Sequence, residues 1–109
     1  MKPVFIGAAM AAMVLAGAAQ AADVEQGRVK ADQVCAACHG KDGNTPIDPS
    51  YPKLAGQHRD FLYQALLDYK TDRRKNAIMG AQAKTLSKAD MENIAAHYAR
   101  LPGTLKQHR

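Results

Sequence analysis

Two thiols and an imidazole stand within five residues, Cys35-Ala36-Ala37-Cys38-His39, and here the spacing itself specifies chemistry. Cysteines three apart can each form a thioether to one of the two vinyl groups of a porphyrin. The histidine that follows then lies beneath the macrocycle, where its ring nitrogen can ligate iron. The pattern is that of covalent c-type haem attachment, with Cys35 and Cys38 as the attachment points and His39 as the proximal ligand. Three other chemistries use a C-x-x-C pair. A redox-active dithiol belongs beside a βαβ unit, and no window of this chain alternates as a strand. A zinc site needs further ligands at suitable spacing, but there is no third cysteine, and His58, His97 and His108 are scattered. A structural disulfide would close so tight a ring that it restrains little chain.

The sixth coordination position has several claimants. Met91 falls on an apolar helix face and reads as core. Met79 lies in Ile78-Met79-Gly80, 40 residues after His39, inside a loop that can be laid over the opposite haem face. A thioether there raises the reduction potential relative to two histidines. Met79 can equally be an apolar anchor, and His58 or His97 would give a bis-histidine site, although each also reads as a surface helix residue. Pro52 and Leu54 follow at a distance that can bring the chain back beside His39. A metal-bound histidine usually donates its other ring N–H to a carbonyl or carboxylate. The Pro52 carbonyl can accept it while Leu54 packs on the porphyrin; a plain turn explains the same residues.

The rest of the chain must make and position such a site. Lys2 is followed by an apolar run from Val4 to Leu15 and by Ala19-Gln20-Ala21, an A-x-A pattern. This is the layout of a Sec-type signal peptide, expected to span 1–21 and be cut after Ala21. The Ala/Gly-rich run is barely long enough to span a bilayer and has no charged stop-transfer flank. A twin-Arg pair is absent, and no cysteine lies near the cut for lipid attachment. The expected product is a periplasmic domain of 88 residues, 22–109, with no stable membrane insertion. A domain of this size is marginal on apolar burial alone. It retains Phe61, Tyr51, Tyr63, Tyr69 and Tyr98 and has no Trp, so a cofactor is expected to complete its core. The net charge is +5, or +4 once Lys2 is lost. That balance gives weak support for acidic partners. Basic-aromatic interleaving is lacking, so nucleic acid is not expected as a partner.

Three main helices and long loops are predicted, an all-α fold. The first spans about Val24 to Val34, with Asp23 as N-cap and Val24, Ala31 and Val34 available for an inner face. Gly27 within it costs about 1 kcal/mol in helix propensity, which close packing against another helix would explain. The second runs from about Gln57 to Thr71, with Phe61, Leu62, Ala65, Leu66 and Tyr69 on one face. The third starts at Ser87-Lys88-Ala89-Asp90, a capping box with Asp for Glu. Met91, Ile94, Ala95, Tyr98 and Leu101 repeat at helical spacing until Leu101-Pro102-Gly103 ends it. Gly40 to Gly56 reads as an irregular loop. Asp72 to Leu86 reads as a second loop, with at most a short turn near Gly80 to Lys84. Lys70, Arg73, Arg74, Lys75, Lys41 and Lys53 lie in or beside these loops. They are either a docking ring for an acidic partner or ordinary solvated charges.

Several longer segments extend the attachment motif: Cys35-Ala36-Ala37-Cys38-His39-Gly40, Asp42-Gly43-Asn44, Tyr51-Pro52-Lys53-Leu54-Ala55-Gly56-Gln57-His58, Lys75-Asn76-Ala77-Ile78-Met79 and Leu86-Ser87. On these segments the chain resembles a class I c-type cytochrome of the short monohaem c-553 type, a resemblance that extends over essentially the whole of residues 22–109. It is similar to one half of the dihaem cytochrome c-4 proteins, without their second C-x-x-C-H. The resemblance implies a class I cytochrome c fold around one haem c, iron ligation by His39 and Met79, and a Pro52 carbonyl that orients His39. It also implies that Gly27 crosses the last helix near Tyr98. The implied function is one-electron transfer in a respiratory chain, by a non-enzymatic and monomeric protein that meets redox partners such as membrane complexes, oxidases or reductases. The alternatives are a haem subunit of a larger dehydrogenase, and a haem enzyme or gas sensor with an open or displaceable sixth ligand.

Overall fold

A computed structural model of the chain describes residues 2–4, 7 and 21–105. The expected signal peptide, 1–21, therefore lies almost wholly outside the described residues. Among those residues there are five helices and no strand: α1 (Val24–Val34), α2 (Ala36–His39), α3 (Arg59–Lys70), α4 (Ala77–Lys84) and α5 (Lys88–Arg100). No helix among them is long and apolar enough to cross a membrane.

The chain order follows from local signals. Asp23 caps α1 by accepting from the Gln26 amide at 3.0 Å, and its own amide donates to Asn93 Oδ1 of α5 at 2.8 Å. One residue thus starts the first helix and ties it to the last. Ser87 and Asp90 close a full capping box at the start of α5, each side chain accepting from the other's backbone N–H at 3.0 Å. Both devices satisfy helix-end donors that would otherwise be orphaned.

The core lies where α1, α3 and α5 meet. Ala31, Leu62, Leu66, Leu86, Met91, Ile94, Ala95 and Tyr98 form one buried cluster. Gly27 sets the α1–α5 distance, because a Cβ there would run into the Asn93 carbonyl group, with the Ile94 amide 3.1 Å away. The close crossing is real, but it falls about one turn before Tyr98, the position implied by resemblance. Tyr98 instead meets Gly43 of the first loop.

Other expectations need correction. Phe61 is 56% exposed; it stands at the edge of the α3 stripe, whose centre is Leu62 and Leu66. His97 is not a surface residue but is 2% exposed, its ring tilted against Tyr98 with centroids 4.9 Å apart. Burial, with help from Arg100, holds His97 below the usual imidazole range, so the buried ring favours its neutral form. The second loop contains a helix that periodicity did not reveal. The inward residues of α4 are Gly80 and Ala83, too small to produce an apolar stripe.

The crossing at Gly27 makes a direct prediction. Gly27→Ala gains about 1 kcal/mol in helix propensity but forces a methyl against backbone, an overpacking cost of up to about 3 kcal/mol. Urea unfolding is expected to show a net loss of roughly 2 kcal/mol. A gain in stability would mean that α1 and α5 do not touch there.

Candidate functional site

The Cys-x-x-Cys-His segment sits at the junction of two helices. Cys35 ends α1, donating its N–H to the Ala31 carbonyl at 2.8 Å, and also stands at the N-cap of α2. The single turn of α2 brings the Cys38 and His39 amides back to the Cys35 carbonyl at 3.3 and 3.0 Å. Gly40, with φ of 83°, reverses the chain directly after the histidine. A Cβ at Gly40 would come within 2.5 Å of the Thr45 carbonyl oxygen, so only glycine permits this exit.

His39 is 5% exposed, and its Nδ1 lies 2.9 Å from the Pro52 carbonyl oxygen. A carbonyl only accepts, so Nδ1 carries the proton and, in the neutral ring, Nε2 keeps a free lone pair. That is the tautomer a metal needs. The Tyr51 ring stands edge-on to the imidazole, with centroids 6.1 Å apart.

Both cysteines are free thiols and partly exposed. Burial raises the Cys35 thiol to about 11, opposed by the Tyr98 hydroxyl. The Cys35 thiol is therefore held protonated, and its sulfur is a weak nucleophile in that form. The Tyr98 hydroxyl is itself buried without a hydrogen-bond partner of ordinary geometry, which leaves a polar atom at the wall beside Cys35.

Met79 lies on a different element. It occupies the first turn of α4, not a loop, because Asn76 caps that helix by accepting from the Ile78 and Met79 amides at 3.0 Å each. Its side chain is partly buried against the same core cluster that Cys35, Leu54 and Leu101 touch. His58 is exposed at the start of α3. Lys70, read as part of a basic surface run, instead reaches the Leu86 carbonyl, and Arg74 stacks over Tyr69 at 4.7 Å. Arg73 and Lys75 remain exposed, and Lys84 pairs with Asp72 at 2.6 Å.

The donor set fits a haem. Two thiols are held on one turn, the following imidazole presents Nε2, and a thioether packs against the same core. Partly buried Leu54, Leu67 and Leu101 pack against that same core. Among the described residues no three His, Cys, Asp or Glu side chains are grouped to hold a metal ion; His108 lies outside them.

Comparison with known proteins agrees with this chemistry. Residues 22–97 match the family model described as cytochrome C oxidase, cbb3-type, subunit III. The chain belongs to the cytochrome c family. Cytochrome c4 of Thiocapsa roseopersicina is 43% identical over 89 residues, which are 82% of this chain and 45% of that protein. A thiosulfate dehydrogenase electron acceptor of Stutzerimonas stutzeri is 34% identical over 100 residues, 87% of this chain and 46% of the relative. The crystal structure of reduced recombinant cytochrome c4 from Pseudomonas stutzeri superposes with a TM-score of 0.70 at 38% identity, covering 78% of this chain and 48% of that one. The chain thus spans about half the length of these relatives. Its fold is the class I cytochrome c fold, and the cofactor of a cytochrome c domain is covalently bound haem c with its iron.

Two features of the site were not anticipated from sequence: the Asn76 cap that turns the Met79 segment into a helix, and the buried His97. An Asn two residues before an apolar pair is a legible N-cap signal, although the pattern after it is weak. Asn76→Ala is expected to cost about 1 kcal/mol in urea unfolding, and Asn76→Asp to retain most of that stability. Equal stability of all three proteins would show that α4 does not depend on its cap.

Proposed function

We propose that this chain is an exported one-electron carrier of the periplasm. Its signal peptide is removed after Ala21, and haem c is attached through Cys35 and Cys38. His39 Nε2 and the Met79 thioether would be the protein's ligands to its iron. The observation that carries this reading is the 2.9 Å contact between His39 Nδ1 and the Pro52 carbonyl. It selects the ligand tautomer within a frame that already presents both thiols on one turn.

Haem iron, when bound, supplies the ferric/ferrous couple. Every other contribution comes from the chain. Cys35 and Cys38 would hold the group through thioethers, and the Pro52 carbonyl would make His39 a more basic ligand. Met79, as a neutral sulfur ligand, favours the reduced state. With His39 and Met79 both committed to holding the iron, this chain would leave no place on it for a substrate, which suits transfer rather than catalysis. The resemblance to an electron acceptor of thiosulfate dehydrogenase supports redox proteins as partners. Exposed Arg73 and Lys75, just before the helix that bears Met79, suit an acidic docking surface.

The visible spectrum of the purified holoprotein tests this assignment. The ferric protein is expected to show the long-wavelength sulfur-to-iron charge-transfer band, and the reduced protein to resist CO. Met79→Ala abolishes the band and admits CO, whereas Met91→Leu retains the wild-type spectrum. A wild-type protein that lacks the band and binds CO readily is not a carrier of this kind.

A further inference from the structure

The loop between Gly40 and Gly56 contains a residue tied to the site by two separate observations. Gly43 is buried with φ of 65°, and its carbonyl accepts two amides, Leu54 N–H at 2.7 Å and Ala55 N–H at 2.9 Å. Only Lys53 separates the Pro52 carbonyl, which holds His39, from the first of those amides. The second observation concerns space. A Cβ on Gly43 would stand 2.7 Å from Tyr98 Cδ1, 3.0 Å from Cε1 and 3.1 Å from the Ala55 nitrogen. Tyr98 is 1% exposed, so its ring has no room to withdraw.

The same strand of loop is gripped from α5. The Gly56 amide donates to the Tyr98 carbonyl at 3.0 Å, and Gly103 packs so closely on Ala55 that a Cβ there would meet the Ala55 carbonyl. Residues 54–56 are therefore clamped between Gly43 on one side and the end of α5 on the other. The Pro52 carbonyl has little freedom once they are fixed.

We propose that Gly43 is a positioning residue for the iron-facing imidazole, its doubly accepting carbonyl and bare α-carbon setting how firmly the Pro52 carbonyl holds His39 Nδ1. The proposal rests on the reading that His39 ligates haem iron. A stronger Nδ1–H bond makes Nε2 more basic, and a more basic ligand favours ferric iron. Loosening the Gly43 clamp therefore raises the reduction potential, an effect that a turn glycine with a purely structural role does not have.

The test compares wild-type holoprotein with Gly43→Ala and with Gly43→Ala/Tyr98→Leu, in which the obstructing ring is removed. Gly43→Ala is expected to raise the potential and to speed exchange of the His39 Nδ1 proton about tenfold, the response to loss of one hydrogen bond. The double variant recovers part of both changes. A folded Gly43→Ala protein with faster Leu54 and Ala55 exchange, but unchanged potential and unchanged Nδ1 proton, overturns the proposal. If Gly43→Ala does not accumulate, the wild-type protein decides. The Leu54 and Ala55 amides and the His39 Nδ1 proton should then exchange through one common opening; Nδ1 exchange while both amides stay protected contradicts it. Failure of the functional reading shows separately, as a wild-type chain without attached haem, and the exchange comparison on that chain still decides whether the two bonds open together.

Discussion

The hydrogen bond between His39 Nδ1 and the Pro52 carbonyl is the constraint around which the rest of the fold is arranged. A histidine with a free choice of tautomer and rotamer is a poor ligand, and this bond removes both choices at once. It can do so only if two chain segments 13 residues apart meet at a fixed distance. One segment is fixed by the α1–α2 junction, the other by the amides that Gly43 and Tyr98 receive. The junction depends in turn on α1 lying close against α5, which Gly27 permits. A small helix crossing and a single tautomer are thus parts of the same arrangement.

The energetics of so small a domain explain why the parts are tied this way. The buried cluster holds eight side chains, two of them alanines, and large apolar residues are few. Stability on that scale leans on caps and close backbone contacts, each worth about 1 kcal/mol or somewhat more, and on the bound cofactor. The buried Tyr98 hydroxyl has only the Cys35 thiol beside it and no partner of ordinary geometry, a cost accepted at the wall of the site. Functional positions are where such exceptions are expected.

How far the sequence was legible depended on the length scale of each signal. The bounds of α1 were read correctly because Asp23 is a side-chain cap and the interior has helical spacing; the capping box at Ser87 did the same for α5. The thiol-thiol-imidazole turn is local chemistry and needed no tertiary information. What escaped is what tertiary contact decides. The inner face of α4 is made of Gly80 and Ala83, so hydrophobic periodicity has nothing to register. Phe61 lies at the margin of the α3 stripe and is exposed, because burial there depends on a neighbour and not on spacing along α3. His97 is polar by type yet buried by the α1–α5 approach. The resemblance implied a crossing of Gly27 near Tyr98; the contact itself falls at Asn93 and Ile94, about a turn earlier.

Covalent haem attachment is the central claim, and intact-mass measurement of the chain, exported by a host with haem-attachment machinery, tests it most directly. The account predicts a single species of residues 22–109 heavier by one haem, with Cys35→Ala/Cys38→Ala carrying none. A mass equal to the bare polypeptide, under conditions where another c-type protein acquires haem, would contradict it.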